Sequence, residues 1–232
     1  MTAPTPLHAV VTGGTGFLGT AVVAALRAHG MTCHVPVFTA AELERFPHRD
    51  DPGVLTTTGV DLSDPSQVEA FYDAVPPLWA SVHLAGGFFA APITDTEPED
   101  LDRMWQRNVR TAYLCCRAAV ARIRAAGRGG RIVQVAARPA LVPTGGMTAY
   151  ALSKAAVANL TVSLAEELAG EAIFVNAVAP SMMDTPANRA AMPDADFTHV
   201  PKVEEVAATV AFLASPDNRV TRGAVVPVYG RS

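Results

Sequence analysis

The chain has 232 residues, half of them apolar, and a formal net charge of −4. This length and apolar content suit one large domain with a substantial core. The mild acidity gives no electrostatic basis for binding nucleic acid or an anionic membrane, and no apolar run is long enough to span a bilayer. The N-terminal sequence MTAPTPLHAV lacks a basic segment followed by an apolar one, so we expect no signal peptide.

Cysteine usage indicates the cellular compartment. The chain contains Cys33, Cys115 and Cys116, and no Cys-x-x-Cys pair. The adjacent pair lies in a helical pattern. We therefore expect a reduced, cytoplasmic protein without a structural zinc site or any other metal site.

The first predicted strand, 8–12, leads through a glycine-rich turn into a helix over 17–29. The pattern Gly13-x-x-Gly16-x-x-Gly19 provides a tight turn and close helix packing, and it places a helix N-terminus where a pyrophosphate can bind. A glycine turn without a ligand is the alternative, but the strand–turn–helix context favours a dinucleotide. The expected contacts in this segment are Thr12, Gly13, Gly16, Phe17, Leu18 and Gly19.

The second predicted strand, 33–38, lacks a feature that is usual at NAD sites. An acidic residue normally ends this strand and binds the ribose hydroxyls. Here the strand runs into Thr39, and the first acid is Glu42, which we expect on a helix. Arg45 is near, but no arginine stands at the strand end. The sequence therefore leaves NAD and NADP both open.

The third and fourth strands end in residues suited to the rest of a nucleotide. Asp61, followed by Leu62, is placed to accept a hydrogen bond from an adenine amino group. Ser63 or Asp64 is placed to cap the next helix, and the two roles are compatible because they use different residues.

The fourth strand ends in small residues. Ala85 and Gly86 let the backbone lie against a ribose, although a plain glycine turn would look the same. Phe88 and Phe89 follow directly. They would either wall a ring-shaped substrate or pack onto the core as loop residues, and the sequence does not distinguish these two cases.

Strands alternate with helices along the whole chain. This alternation predicts an α/β fold: one Rossmann-type, doubly wound parallel sheet of about seven strands, with helices on both faces, spanning 1–232. The loop 181–200 is long for a compact domain, which suggests a lid over the substrate. We predict strands over 8–12, 33–38, 54–60, 79–87, 131–137, 172–180 and 224–228, and helices over 17–29, 65–74, 99–126, 148–168 and 203–214.

Ligands of such sheets bind beyond the carboxyl ends of the strands. Several candidate residues fall at those ends and are expected to share one crevice. Asn108 lies within the helix 99–126, where an asparagine often just faces solvent. The strand-end residues are Gly13, Asp61, Gly86, Ala137 and Pro180.

The helix 148–168 carries the candidate acid–base pair. Tyr150 and Lys154 are four residues apart, so they share one helix face. An ammonium one turn away favours the phenolate and should lower the tyrosine pKa. The apolar stripe of this helix is expected to comprise Ala155, Ala156, Leu160, Leu164 and Leu168.

Taken together, these residues make the chain resemble the short-chain dehydrogenase/reductase family along its whole length. The resemblance implies that Tyr150 is the proton donor and that Lys154 binds the nicotinamide ribose and lowers the Tyr150 pKa. It also implies that Asn108 holds a water in a proton relay and that Thr185 contacts the carboxamide. The matching residues are Thr12-Gly13 to Gly19, Asp61, Ala85-Gly86, Asn108, Tyr150, Lys154, Asn176, Pro180 and Thr185.

The chain departs from the family pattern at one catalytic position. The serine expected thirteen residues before the tyrosine is Ala137. An alanine cannot bind the substrate oxygen, and losing one oxyanion donor costs about 10²–10³ in rate. Simple ketone reduction is therefore in doubt.

A subgroup of the family accounts for the alanine. The segments 136-AARPAL-141 and 184-DTPANRAAMPDADF-197 resemble dihydropteridine reductases. Hydride transfer to their quinonoid substrate leaves charge spread over several atoms, so a serine on one oxygen matters less. The expected substrate contacts are Phe88, Ala137 and Met147.

Two classes of function remain open at this stage. One is an NAD(P)H-dependent reductase of a quinonoid dihydropterin-like or carbonyl substrate. The other is a dinucleotide-binding sensor or partner subunit that has lost catalysis, which only Ala137 favours. In either case we expect a homodimer or homotetramer that binds a small molecule, and no nucleic acid or membrane.

Overall fold

The computed structural model describes residues 6–232. Residues 1–5, part of the segment judged not to be a signal peptide, lie outside this range. All seven strands pair in parallel in one sheet with the order β3-β2-β1-β4-β5-β6-β7, so the predicted fold class is confirmed. The strands are β1 His8–Thr12, β2 Thr32–Val37, β3 Val54–Thr58, β4 Leu78–His83, β5 Gly130–Val135, β6 Ile173–Pro180 and β7 Val225–Val228.

Helices cover both faces of the sheet. One face packs against α1 and α7, and the other packs against α2, α4 and α5. The strand order reverses between β1 and β4, and such a switch point opens a crevice at the carboxyl ends of the strands. The helices are α1 Phe17–Ala28, α2 Pro65–Asp73, α3 Pro98–Met104, α4 Thr111–Ala126, α5 Thr148–Glu167, α6 Pro186–Ala191 and α7 Val203–Ala214.

Most predicted boundaries agree with the structure within two residues, but three segments differ. The fourth strand ends at His83, so residues 84–87 are irregular. The single helix expected over 99–126 is α3 and α4 joined by a π-helical turn, Trp105–Arg110. The loop 181–200 contains the short helix α6.

The predicted apolar stripe of α5 is wrong in part. Ala155 is exposed, and the buried face instead carries small and polar residues such as Ser153 and Thr161. Small side chains let this helix approach the sheet closely, and the Thr161 hydroxyl donates to the Val157 carbonyl at 2.9 Å. The Leu-based pattern missed this face because its burial comes from close packing rather than from large apolar side chains.

Two negative findings concern the described part of the chain, 6–232. None of its helices is long and apolar enough to cross a membrane. No group of three or more His, Cys, Asp or Glu side chains in this range is arranged to hold a metal ion.

The turn between β1 and α1 has no room for side chains at its critical glycines. A Cβ on Gly19 would lie 2.1 Å from the Gly13 carbonyl oxygen and 2.6 Å from the Gly14 Cα. A Cβ on Gly14 would meet the Val35 side chain at 2.8 Å. The glycines therefore allow α1 to begin directly behind the turn.

We expect Gly19→Val to abolish dinucleotide binding, because the side chain would force α1 away from the turn. Titration of the variant with NADH and NADPH, with circular dichroism as a check of folding, measures this. Gly145→Val is the matched control, since a Cβ there meets nothing within 4 Å. A folded Gly19→Val protein with wild-type affinity would contradict the assignment of this turn.

Buried histidines predict the pH dependence of stability. Burial, followed by the charge of neighbouring His8, lowers the pKa of His34 to about 4. In the unfolded chain the His34 imidazole binds a proton near pH 6.5, whereas in the folded chain it stays neutral down to about pH 4. The free energy of unfolding therefore falls as the pH drops from about 6.5 towards 4. Burial also lowers the pKa of His83 to about 4, so both residues contribute.

We expect His34→Gln to reduce, without removing, the loss of unfolding free energy between pH 6.5 and 5, because His83 still contributes. Urea denaturation at both pH values measures the loss. His29→Gln, at an exposed position, should keep the wild-type dependence. An unchanged dependence in His34→Gln would contradict the assignment to His34.

Candidate active site

The floor of the crevice is formed where the ends of β1 and β4 contact each other. The Thr12 hydroxyl accepts a hydrogen bond from the Ala85 N–H at 3.3 Å, and both groups lie at the switch point. Gly13 has a φ of +66°, and a Cβ there would lie 2.8 Å from the Ala85 nitrogen. Thr12, predicted as a cofactor contact, is buried, and its hydroxyl joins the two strand ends.

The glycine turn fits an anionic group. The N-cap of α1 is Gly16, which offers no side-chain acceptor, and the first turn of the helix contains no acid. Its free N–H groups and the positive end of the helix dipole favour an anion such as a pyrophosphate. The Phe17 side chain is exposed, whereas the Leu18 side chain lies in the core, so only the backbone of Leu18 is available to a ligand.

A cavity of about 570 Å³ adjoins this turn. Asp61 lies in its wall, and its carboxylate accepts hydrogen bonds from the Ser63 N–H at 2.8 Å and the Ser63 hydroxyl at 2.7 Å. Asp64 caps α2 by accepting from the N–H groups of its first turn. The cap therefore uses Asp64, and the contact of Asp61 with an adenine amino group stays a prediction. The cavity is lined by Gly13, Pro36, Phe38, Glu42, Val60, Asp61, Leu62, Ser63, Ala85, Gly86, Gln106, Arg107 and Thr111.

The predicted acid–base pair lies on one face of α5, but the expected lowering of the tyrosine pKa is wrong. Burial raises the pKa of Tyr150 to about 12 and lowers the pKa of Lys154 to about 8. The Lys154 ammonium donates to the Val135 carbonyl at 2.8 Å rather than to the phenol. Desolvation therefore outweighs the effect of the neighbouring charge, and Tyr150 is a protonated phenol at neutral pH.

Asn108 is the residue for which the solvent-facing alternative is wrong. It is only 1% exposed and lies in the π-helical turn. Its side chain accepts from the Gly87 N–H at 2.7 Å and donates to the Gly87 carbonyl at 3.1 Å. It also donates to the Ser153 hydroxyl at 2.9 Å, and this hydroxyl donates to the Tyr150 carbonyl at 2.7 Å.

These bonds give Asn108 a structural role besides the predicted one in a proton relay. Both of its amide hydrogens are used, so the side chain has no donor left for a water. The same bonds join the end of β4 to the first turn of α5. Ser153, which the sequence reasoning missed, is the link between the asparagine and Tyr150, and its only sequence signal is its position beside Lys154.

The two phenylalanines after β4 have different surroundings. The Phe88 ring packs edge-to-face on Tyr150, with centroids 5.0 Å apart and an interplanar angle of 73°, and it is 64% exposed. The Phe89 ring lies under the Arg103 guanidinium at 5.4 Å. Phe88 therefore forms a wall beside the phenol, and Phe89 packs against α3.

The remaining predicted substrate residues lie at the ends of β5 and α5. Ala137 follows β5 and is 5% exposed, so its methyl group occupies the position where a hydroxyl was expected. Met147 is half-buried and precedes α5, and its carbonyl accepts from the Ala151 N–H at 2.8 Å.

The segment after β6 is ordered by its own contacts. Pro180 ends β6 and is buried. The Thr185 hydroxyl caps α6 by accepting from the Asn188 N–H at 3.1 Å, so it already has a structural role besides the predicted contact with a carboxamide. Asp184 forms a two-fold hydrogen-bonded ion pair with Arg189, at 2.6 and 2.8 Å.

Comparison with known proteins identifies relatives of this chain. A family profile described as "short chain dehydrogenase" matches residues 7–196. The chain is 32% identical over 233 residues to an L-xylulose reductase of Bos taurus, covering 96% of this chain and 95% of the relative. It is 30% identical over 260 residues to a chloroplastic NADPH-dependent aldehyde reductase-like protein of Arabidopsis thaliana, covering 98% and 95%.

The fold has close matches among solved structures. A structure of ElxO with NADP bound superposes with a TM-score of 0.89 at 22% identity, covering 97% of this chain and 98% of that one. The profile spans most of the chain, and relatives of similar length reach 30% identity. The chain therefore belongs to the short-chain dehydrogenase/reductase family and is an NAD(P)-dependent oxidoreductase.

Proposed function

We propose that the protein reduces a conjugated, quinonoid ring of the dihydropterin type, with Tyr150 as the proton donor. The observation that carries this proposal is the buried Ala137 methyl group at the end of β5, together with a Tyr150 phenol that is walled by Phe88. The site offers a proton and an aromatic surface, but no hydroxyl at position 137 for a developing alkoxide.

The chemistry of the acceptor explains why the site can function without this hydroxyl. A nicotinamide cofactor, when bound, supplies the hydride. A ketone that accepts a hydride concentrates negative charge on one oxygen, and a missing donor there is costly. A quinonoid ring spreads the charge over several atoms, so no single donor dominates the barrier.

Tyr150 and Lys154 supply the proton and the positive charge. A phenol with a pKa of about 12 stays protonated at neutral pH, which suits a donor in the direction of reduction. Lys154, with a pKa of about 8, carries its charge at neutral pH and loses it as the pH rises above 8. Lys154, Gly13, Gly86 and Asp61 are the residues that would hold the dinucleotide.

Apolar side chains around the crevice support a ring-shaped substrate. Several are exposed on the loops that follow β4, β5 and β6, and an aromatic ring would cover part of this apolar surface. These side chains are Phe88, Leu141, Val142 and Met182.

A second candidate is a carbonyl reductase that tolerates Ala137. It is favoured by the names of the relatives, which include an aldehyde reductase-like protein and an L-xylulose reductase. A sensor without catalysis is the weaker alternative, because Tyr150, Lys154 and Asn108 are all present, and Asn108 is linked to the Tyr150 backbone through Ser153.

We expect Tyr150→Phe to leave cofactor affinity nearly unchanged and to lower kcat by about 10²–10⁴-fold, because it removes only the proton donor. Lys154→Ala should weaken both binding and turnover, since it removes the positive charge. Fluorescence titration of NADH and NADPH, together with steady-state kinetics, separates the two effects. Full activity in Tyr150→Phe would exclude tyrosine as the acid and leave water in that role.

We expect Ala137→Ser to give little gain, or a loss, with quinonoid dihydropterin. With a simple ketone the new donor would raise kcat/KM on the order of 10²-fold. The measurement is the oxidation of reduced cofactor at 340 nm with both substrate types, and Ala140→Ser, in the same loop, is the control. A wild type inert toward the pterin, with a variant that gains ketone reduction, would replace the pterin proposal with the carbonyl one.

A further inference from the structure

Arg138 is a cation next to the predicted substrate position, and it has no part in the proton transfer proposed above. It directly follows Ala137 and begins the short 3₁₀ turn Arg138–Ala140 after β5. Its carbonyl accepts from the Leu141 N–H at 2.9 Å and from the Val142 N–H at 2.8 Å, so the backbone of this turn is fixed. The residue as a whole is half-buried.

An aromatic ring holds the Arg138 guanidinium. The guanidinium carbon lies 5.1 Å from the centroid of the Tyr229 ring, which is a cation–π distance. Tyr229 follows β7, and its carbonyl accepts from the hydroxyl of Ser181, the first residue after β6, at 3.4 Å. Because β6 and β7 lie beyond β5 in the sheet, this contact places the guanidinium on the side of Ala137 away from the β1–β4 switch point.

The N–H groups of Arg138 are free to bind a ligand. Among residues 6–232, no carboxylate forms a salt bridge with this side chain. Its nitrogens are not among the buried, unpaired ones of this range, which belong to Arg122 and Arg131, so they are accessible. Arg189, on the loop after β6, differs because it is already paired with Asp184.

The surroundings of Arg138 suit a ligand with an apolar body and a charged end. Leu141 and Val142, in the same loop, are exposed apolar side chains, and the planar fork of a guanidinium matches a carboxylate or a phosphate. We propose that Arg138 binds an oxyanion of the substrate, a carboxylate or a phosphate, while the conjugated ring lies at Tyr150. This inference rests on the proposed function only for the position of the ring.

The substrate class is thereby narrowed to rings that carry an anionic substituent. A hydrogen-bonded ion pair of this kind strengthens binding on the order of 10- to 100-fold over a neutral group of the same shape. Arg138→Lys keeps the charge but loses the fork, so it should retain part of this preference. Arg138→Gln removes the charge and should abolish the preference.

The experiment is isothermal titration calorimetry of the protein saturated with oxidised cofactor. The probes share one ring system and are naphthoate, naphthyl phosphate and the neutral naphthamide. We expect at least one anion to bind on the order of 10- to 100-fold more tightly than the amide. The anion that does so identifies carboxylate or phosphate as the group recognised. In Arg138→Gln the anions and the amide should bind equally.

A matched control keeps the net charge of the variants equal. Arg219→Gln removes an exposed arginine from the loop before β7, at the opposite edge of the sheet, and should keep the wild-type preference. Circular dichroism checks that each variant is folded.

Two results would overturn the proposal. One is a wild type that binds neither anion more tightly than the amide. The other is a preference that persists in Arg138→Gln, and its loss in Lys154→Ala would then assign the anion to Lys154. Because binding alone is measured, failure of this test is distinct from failure of the pterin assay.

Discussion

The active site depends on one buried amide. The Asn108 side chain forms two hydrogen bonds with the backbone of Gly87 and one with the Ser153 hydroxyl. An asparagine at this depth would be costly if left unpaired, and here both its oxygen and its nitrogen have partners. The bonds fix the segment after β4 relative to the first turn of α5. The position of the segment after β4 relative to the predicted acid–base pair is therefore set by one side chain.

The close approach of β1 and β4 provides the second constraint. Gly13 passes so near Ala85 that no side chain fits, and the Thr12 hydroxyl bonds to the same residue. Residues predicted to bind a ligand and residues that pack the backbone are thus neighbours in sequence here. The shape of the crevice and its predicted chemistry therefore constrain the same residues. Glu42 places a negative charge beside this turn, because its carboxylate accepts a hydrogen bond from the Thr15 hydroxyl.

The fold could be predicted almost entirely because its signals are local. Short apolar strands alternate with helices, glycine marks the first turn, and the bounds predicted for β1 and α7 match the structure. The crevice followed from topology, since parallel strands end at one edge. What could not be predicted depends on distant partners. Asn108 pairs with residues 21 and 45 positions away, and the pKa of Tyr150 depends on burial, which a spacing of four residues does not reveal.

The π-helical turn at Trp105–Arg110 has an evolutionary consequence. Such a turn contains one residue more than an ordinary helix of the same length, and it commonly arises at functional sites. Deletion of a single residue within it would restore a regular α-helix. A measurement of helical content, such as circular dichroism, would therefore show no loss of helix. Because the turn already absorbs the extra residue, α3 and α4 would keep their facing, and only the residues of the turn itself, Asn108 among them, would be repositioned. The amide would then point away from Gly87 and Ser153. In this family member, an indel that leaves the secondary structure unchanged would separate the two halves of the site.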